Sequence, residues 1–287
     1  MTTTLERPAP AAGPTPRSPG ARALTWTGAV VGGVLLVSAS FSAVDLLVLG
    51  SDDATTRTDS ASYAAAPVVE LVADGHITVT TGGDRVEVER TATTALTRAH
   101  YSVDELADEL RVRYVCDWWR PGFCTASLDV TVPDGTSVIV RARDGSVTAT
   151  ALQGPLEVHA SDGDTDVSDI DGDVTVRTAD GRTDVSDVRG SVSVSSADGA
   201  ITVSDVSGSA TTRSSDGRTE ISGVRGDVDA HASDGDVTVY GTGKPVALDI
   251  STADGGQTVE GPVDPTSSTH VRIRVADGHA AYLQPRG

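Results

Sequence analysis

The chain has 287 residues, of which only 3% are aromatic, and a formal net charge of −19. So few bulky side chains exclude a thick globular core, and so acidic a balance argues against nucleic acid as a partner, because phosphate binding needs a basic face. There is no Asn, which excludes N-linked glycosylation and asparagine ladders.

Residues 1–23 are rich in Pro, Ala, Thr and Gly and are expected to form a disordered cytoplasmic tail. From Leu24 to Ala43 no charge occurs, and apolar residues continue past Asp45 to Leu49. About 20 such residues cross a bilayer as one helix, which is placed over 24–50. Arg7, Arg17 and Arg22 precede the run and Asp52 and Asp53 follow it. The positive-inside bias then puts the N-terminus in the cytoplasm and the rest outside, as a single-pass protein of the cell membrane. The rival reading is a cleaved signal peptide with Val37-Ser38-Ala39 as its processing site. Both readings export the remainder. Residues 51–66 are expected to be a flexible linker and 67–287 an extracytoplasmic domain.

Strand patterns begin at Val68–Thr80, and Arg85–Glu89 alternates as RVEVE. Over Ala92–Val115 the pattern is mixed. Ser102-x-x-Glu105 fits a helix capping box, whereas Leu110–Val115 alternates as a strand, and a hairpin is the reading adopted. Cys116 and Cys124 are the two cysteines. In an exported domain they are read as a disulfide; a metal site is the poorer alternative, since no further His or Cys stands nearby at zinc-ligand spacing. Trp118, Trp119 and Phe123 lie in the loop between them, as aromatics that either anchor a partner or cap the end of the domain.

Asp-Gly pairs then recur at Asp144, Asp162, Asp180, Asp198, Asp216 and Asp234, each 18 residues after the last. A second glycine keeps the same step at Gly154, Gly172, Gly190, Gly208 and Gly226. Fixed-period repetition of this kind means that units stack to build a core none could bury alone. Aligning the units over 137–245 gives apolar columns such as Val138, Leu156, Val174 and Val192, and Ala149, Val167, Val185 and Val203. A further column, Leu152, Ile170, Val188, Val206 and Val224, is continued to Thr242. Period-two alternation rich in β-branched residues predicts strands with one face buried. The fold class is therefore all-β, a solenoid of about eight short coils preceded by one transmembrane helix. Two looser coils follow at Asp254-Gly255 and Asp277-Gly278.

Asp162, Asp180, Asp198 and Asp216 would stand about 4.8 Å apart in such a stack, an uninterrupted file of like charge. Either each carboxylate accepts backbone N–H groups in its own Asx turn, or the file binds cations such as calcium. The tandem glycines of calcium-binding nonapeptide repeats are missing, so the Asx turn is the preferred reading and no cofactor is assigned. No metalloprotease HExxH, GxSxG nucleophile elbow or intact phosphate-binding loop is present; Gly241-Thr-Gly-Lys244 lacks the first loop glycine.

The apolar N-terminal segment, the cysteine pair around a Trp-rich loop, the DVTVPDG strand exit and the valine, Asp-Gly, valine repeats resemble a bacterial family of proposed adhesins, domain of unknown function 4097 (DUF4097). The resemblance spans roughly Pro67 to Gln284 and implies a right-handed β-helix-like solenoid at the cell envelope. It brings no catalytic residues. The function expected is a non-enzymatic adhesin-like or scaffolding module with a surface protein or polysaccharide as partner. The alternatives are an envelope-stress sensing component and a calcium-stabilised repeat module.

Overall fold

A computed structural model describes residues 54–117, 119 and 122–286. The tail and membrane helix expected over 1–50 lie outside the described residues. Among those described no helix occurs.

The N-terminal third forms β1 (Thr55–Tyr63), β2 (Val68–Ala73), β3 (Ile77–Thr81), β4 (Val86–Ala95), β5 (Ala99–Glu105), β6 (Glu109–Cys116) and β7 (Phe123–Val132). The repeats supply β8 (Ser137–Asp144), β9 (Val147–Leu152), β10 (Leu156–Asp162), β11 (Thr165–Ile170), β12 (Val174–Thr178) and β13 (Thr183–Val188). They continue with β14 (Val192–Ser196), β15 (Ile201–Val206), β16 (Ala210–Ser214), β17 (Arg218–Ser222), β18 (Val228–Asp234) and β19 (Asp236–Tyr240). Last come β20 (Ala247–Asp254), β21 (Gln257–Val259), β22 (His270–Asp277) and β23 (Ala280–Leu283).

Each repeat gives one strand to each of two sheets. The 12-stranded sheet runs β1-β4-β7-β3-β9-β11-β13-β15-β17-β19-β23-β21, and the 11-stranded sheet runs β20-β22-β18-β16-β14-β12-β10-β8-β2-β6-β5. Apart from the antiparallel strands β1, β4 and β5, the pairs are parallel, so ten coils stack where about eight were expected. Register follows the 18-residue step: Val158 pairs with Val140 and Val176, and Val185 with Val167 and Val203. The aligned apolar columns are buried throughout the regular coils. Thr242 is an exception. It is exposed, because the chain leaves the stack through Gly241–Pro245, and the corner column ends at Val224.

Main-chain pairing continues around the turns. Asp180, Asp198 and Asp216 donate their N–H groups to Ser161, Ala179 and Ala197 at 2.8–2.9 Å, and at the other corner Arg189 donates to Ile170 at 2.9 Å. Turns packed this closely have no room for side chains. A Cβ on Gly163 would lie 2.7 Å from the Gly145 carbonyl oxygen, and one on Gly226 2.6 Å from that of Gly208. Gly163 also has φ +107°, a conformation that L side chains rarely adopt.

At both ends the chain doubles back. β2 and β3 sit between β8 and β9 on one side and β6 and β7 on the other, so the first coil in sequence is the second in space. At the far end β22 and β23 slip between β18 and β19 and the earlier β20 and β21. Burial explains this order: Val271, Ile273, Val275 and Tyr282 are fully apolar-facing and buried, whereas Leu248 and Ile250 are only partly covered and β21 is largely exposed. The more polar coil takes the outermost place, as a terminal repeat must. Residues 55–63, expected to be linker, instead form β1, which pairs with β4 along its whole length and adds Thr56–Thr93 and Thr58–Thr91 hydroxyl contacts of 3.0 Å. The hairpin expected after residue 92 is formed by β5 and β6.

If turn stacking excludes side chains, Gly163→Ala should destabilise far more than Gly135→Ala. Gly135 also has positive φ, +77°, but a Cβ there meets nothing within 4 Å. Urea denaturation should show a loss of about 1–2 kcal/mol for Gly135→Ala, from the backbone alone, and a clearly larger one for Gly163→Ala.

Candidate binding surface

Cys116 closes β6 in one sheet and Cys124 lies in β7 of the other, so the expected disulfide, which is formed, ties the two sheets together at the outermost N-terminal coil, with Cα atoms 6.0 Å apart. Trp118 lies outside the described residues. Trp119 and Phe123 are 65% and 40% exposed, so they do not plug the core as a cap would. Tyrosines close this end instead. The Tyr63 and Tyr101 hydroxyls meet at 2.7 Å, Tyr101 packs edge-on to Tyr114 with ring centroids 5.9 Å apart, and the Arg90 guanidinium lies 3.9 Å from the Tyr101 centroid. Burial, then the hydrogen bond with Tyr63, pushes the Tyr101 phenol well above its ordinary range. The other two tyrosines, Tyr240 and Tyr282, lie at the C-terminal end, leaving the middle coils without any.

The aspartates singled out in sequence do come together. Asp162, Asp180, Asp198 and Asp216 form one exposed file, which continues at Asp234, Asp277 and Asp254. The expected Asx turn is not formed: among the described residues none of these four carboxylates accepts an N–H of its own turn. That role passes to residues just after the turn glycines. The Asp164 carboxylate accepts the Arg182 N–H one coil later at 2.9 Å, and Asp236 accepts that of His279 at 3.0 Å. At the other turn a staircase climbs from Asp173 through Ser191, Ser209 and Asp227 to His270, each side-chain oxygen accepting the next N–H at 2.7–3.4 Å. Asp169, Asp187 and Asp205 have a separate reason to be acidic. They stand in the left-handed region, with φ of 52–53°, a corner conformation that Asp tolerates better than most residues. No group of three or more His, Cys, Asp or Glu side chains among the described residues is placed to hold a metal ion.

Crowding in the file is visible in its ionisation. A hydrogen bond with Asp198, then burial, then the charges of Asp198 and Asp234 raise Asp216 above the ordinary aspartate range. A raised folded value means that the protonated file favours the native state below the unfolded value, and that this benefit is lost as pH rises through the folded one. Asp216→Asn should therefore raise the melting temperature at neutral pH, and the gain should vanish in acid below the ordinary value of 3.8. Parallel melts of the two proteins across that range check it.

Sequence reading passed over the outer face of the 11-stranded sheet. Here a column of bases runs beside a mixed column in which Glu70, Glu157, Asp229 and Asp249 are the carboxylates. Glu70 is almost fully buried between Arg111 and Arg141, which bonds it at 2.7 Å. Burial pushes the Glu70 carboxyl up, but the hydrogen bonds and charges of the two arginines outweigh it and hold it below the usual range. Glu157 accepts from His159 and Arg177, both at 2.8 Å, and Asp229 meets His231 at 2.9 Å. The signal was available, since the register fixes which residues share an outward column, but it emerges only when all the coils are aligned, including the irregular ones.

Known proteins can be set beside this architecture. The profile of the Toastrack family, DUF4097, matches residues 73–282. No curated protein matches. Among solved structures the chain is similar to a proposed adhesin of Bacteroides fragilis, at 12% identity and a TM-score of 0.35, over 80% of this chain and 97% of that one. It is also similar to a proposed adhesin of Parabacteroides merdae, at 11% identity and a TM-score of 0.30, over 80% and 96%. A third is a proposed cell adhesion protein of Clostridium sporogenes, at 9% identity and a TM-score of 0.28, over 79% and 100%. With a match across most of its length, and with the parallel-stranded coils just described, the chain belongs to the Toastrack (DUF4097) family.

Proposed function

We propose that the chain is a non-enzymatic binding module of the bacterial cell envelope, adhesin-like or scaffolding, anchored in the membrane by its N-terminal apolar run and displaying the solenoid outside. The observation that carries this reading is the repetition of outward side chains on a fixed framework. Columns such as Thr150, Ser168, Ser186, Ser204 and Ser222 recur one per coil. Such an array suits a repetitive partner better than a single small substrate. The uncharged stretch from Leu24 to Ala43, with arginines before it and aspartates after it, supports the anchor. The disulfide between Cys116 and Cys124 supports an oxidising compartment.

Two measurements on cells producing the full chain test the proposal. External protease should shave the solenoid from intact cells while an N-terminal tag stays protected in the membrane fraction. The detergent-solubilised chain should in turn co-sediment with isolated envelope material. A protected solenoid would contradict the topology, and a chain that stays in the supernatant would contradict the binding role.

A further inference from the structure

We propose that the outer face of the 11-stranded sheet binds a linear acidic polysaccharide, whose carboxylates seat along a file of arginine and histidine side chains running from coil to coil. The inference rests on the binding-module reading above and names the partner's chemistry.

Register defines the file. Arg141 pairs with His159 and His159 with Arg177; after Ser195 the file resumes with Arg213, then His231, then Arg274. Toward the N-terminal end Val72 separates Arg141 from Arg113. From Ser102 on β5 to Ser251 on β20 no carboxylate interrupts it. In a chain of net charge −19, a column holding five arginines, two histidines and no carboxylate is a local reversal of sign. Strand spacing sets its members about 4.8 Å apart.

The neighbouring carboxylates orient these bases without using them up. Arg141 bonds Glu70 through Nε only, Arg177 bonds Glu157 through one terminal nitrogen, and Arg274 reaches Asp249 through another at 3.5 Å. Each guanidinium keeps further N–H donors for a second carboxylate, whose geometry matches its fork. Arg113 and Arg213, both exposed, form no ion pair among the described residues.

Two concavities lie along this one line. The larger, of about 630 Å³, is walled by Arg113, Arg141, Arg143, His159 and Arg177, with Asp74 as its single acid. The next, of about 320 Å³, is walled by Arg213 and His231 among serines. From β10 to β18 the positions two residues further along are small and exposed, Ser161, Ala179, Ala197, Ser215 and Ser233, so nothing bulky obstructs a chain laid across these strands.

Chemistry selects the partner. No Phe, Tyr or Trp projects from this face on β8 to β22 to supply the stacking platform of a single-stranded nucleic acid site. A polymer with one carboxylate per sugar repeats along its length the planar group that the arginine fork matches.

The test uses the full chain and an oligogalacturonate as probe, with the fully methyl-esterified oligomer as its uncharged counterpart. Binding is measured by calorimetry for the parent, for Arg177→Gln/Arg213→Gln on the file, and for Arg182→Gln/Arg218→Gln, which stand directly after the Asp-Gly turns and off the file, with thermal melts to establish folding. The acid form should bind and the ester should not. The file variant should lose at least about tenfold in affinity while the turn variant keeps it. Equal affinity for acid and ester, or equal losses in the two variants, would overturn the proposal, and the ester comparison stands even if a variant fails to fold. So would tighter binding of a single-stranded oligonucleotide or a polyphosphate, which would reassign the file. Absent uronate binding by a chain that still co-sediments with envelope material rejects this assignment alone, whereas loss of both rejects the broader reading too.

Discussion

Each coil is held to the next by main-chain hydrogen bonds that do not stop where the strands stop but run on through the corners. This constraint governs the composition. At the Asp-Gly turns the close approach of successive backbones removes the Cβ, which is why glycine returns every 18 residues there. Inside the coil it leaves a thin space that Val, Ile, Ala and Thr fill, with hydroxyls such as those of Thr178 and Thr183 meeting across the core at 3.3 Å. Outside, it places like positions about 4.8 Å apart, so any repeated charge becomes a file.

A stack of parallel coils leaves two open ends, and open sheet edges invite unwanted pairing. The chain manages each end by the same route. Its first coil in sequence takes the second place in the stack, the antiparallel strands β1, β4 and β5 lie beyond the outermost coil, and the disulfide and a tyrosine cluster tie the two sheets there. At the other end a polar coil is laid down first, and the more apolar final coil is inserted beneath it. Tyr282 is buried under that arrangement, packed so closely that a Cβ on Gly241 would lie 2.5 Å from its hydroxyl.

Much of the interior was legible in the sequence because a period of 18 with alternating β-branched residues admits few alternatives, and the paired columns of Val158 and Val185 fall where alignment put them. What was not legible depends on contacts between segments distant in sequence. The ends double back because Val271, Ile273 and Val275 outcompete Leu248 and Ile250 for burial, a comparison that no local pattern makes. β1 looks like linker because its outer half faces solvent, and only its pairing with β4 orders it. The aspartate file was located correctly but misassigned in detail. Asp164, Asp173 and Asp236, just past the turn glycines, make the hydrogen bonds to backbone, leaving Asp162, Asp180, Asp198 and Asp216 as a crowded exposed row. The base column beside Glu70 and Glu157 escaped notice because the acidic total masks it.

The functional reading follows from the same geometry, since a framework that repeats every coil presents a repeating surface. Its most direct test is the stacking itself. Thr80, Thr150, Ser168, Ser186, Ser204 and Ser222 occupy one outward column, so spin labels at Thr80 and at Ser186, Ser204 or Ser222 are three, four and five coils apart. Electron–electron double resonance should return distances that lengthen by about 4.8 Å per coil across the three pairs. Distances that stay level, or that shorten as the sequence separation grows, would mean the repeats are not piled one upon another.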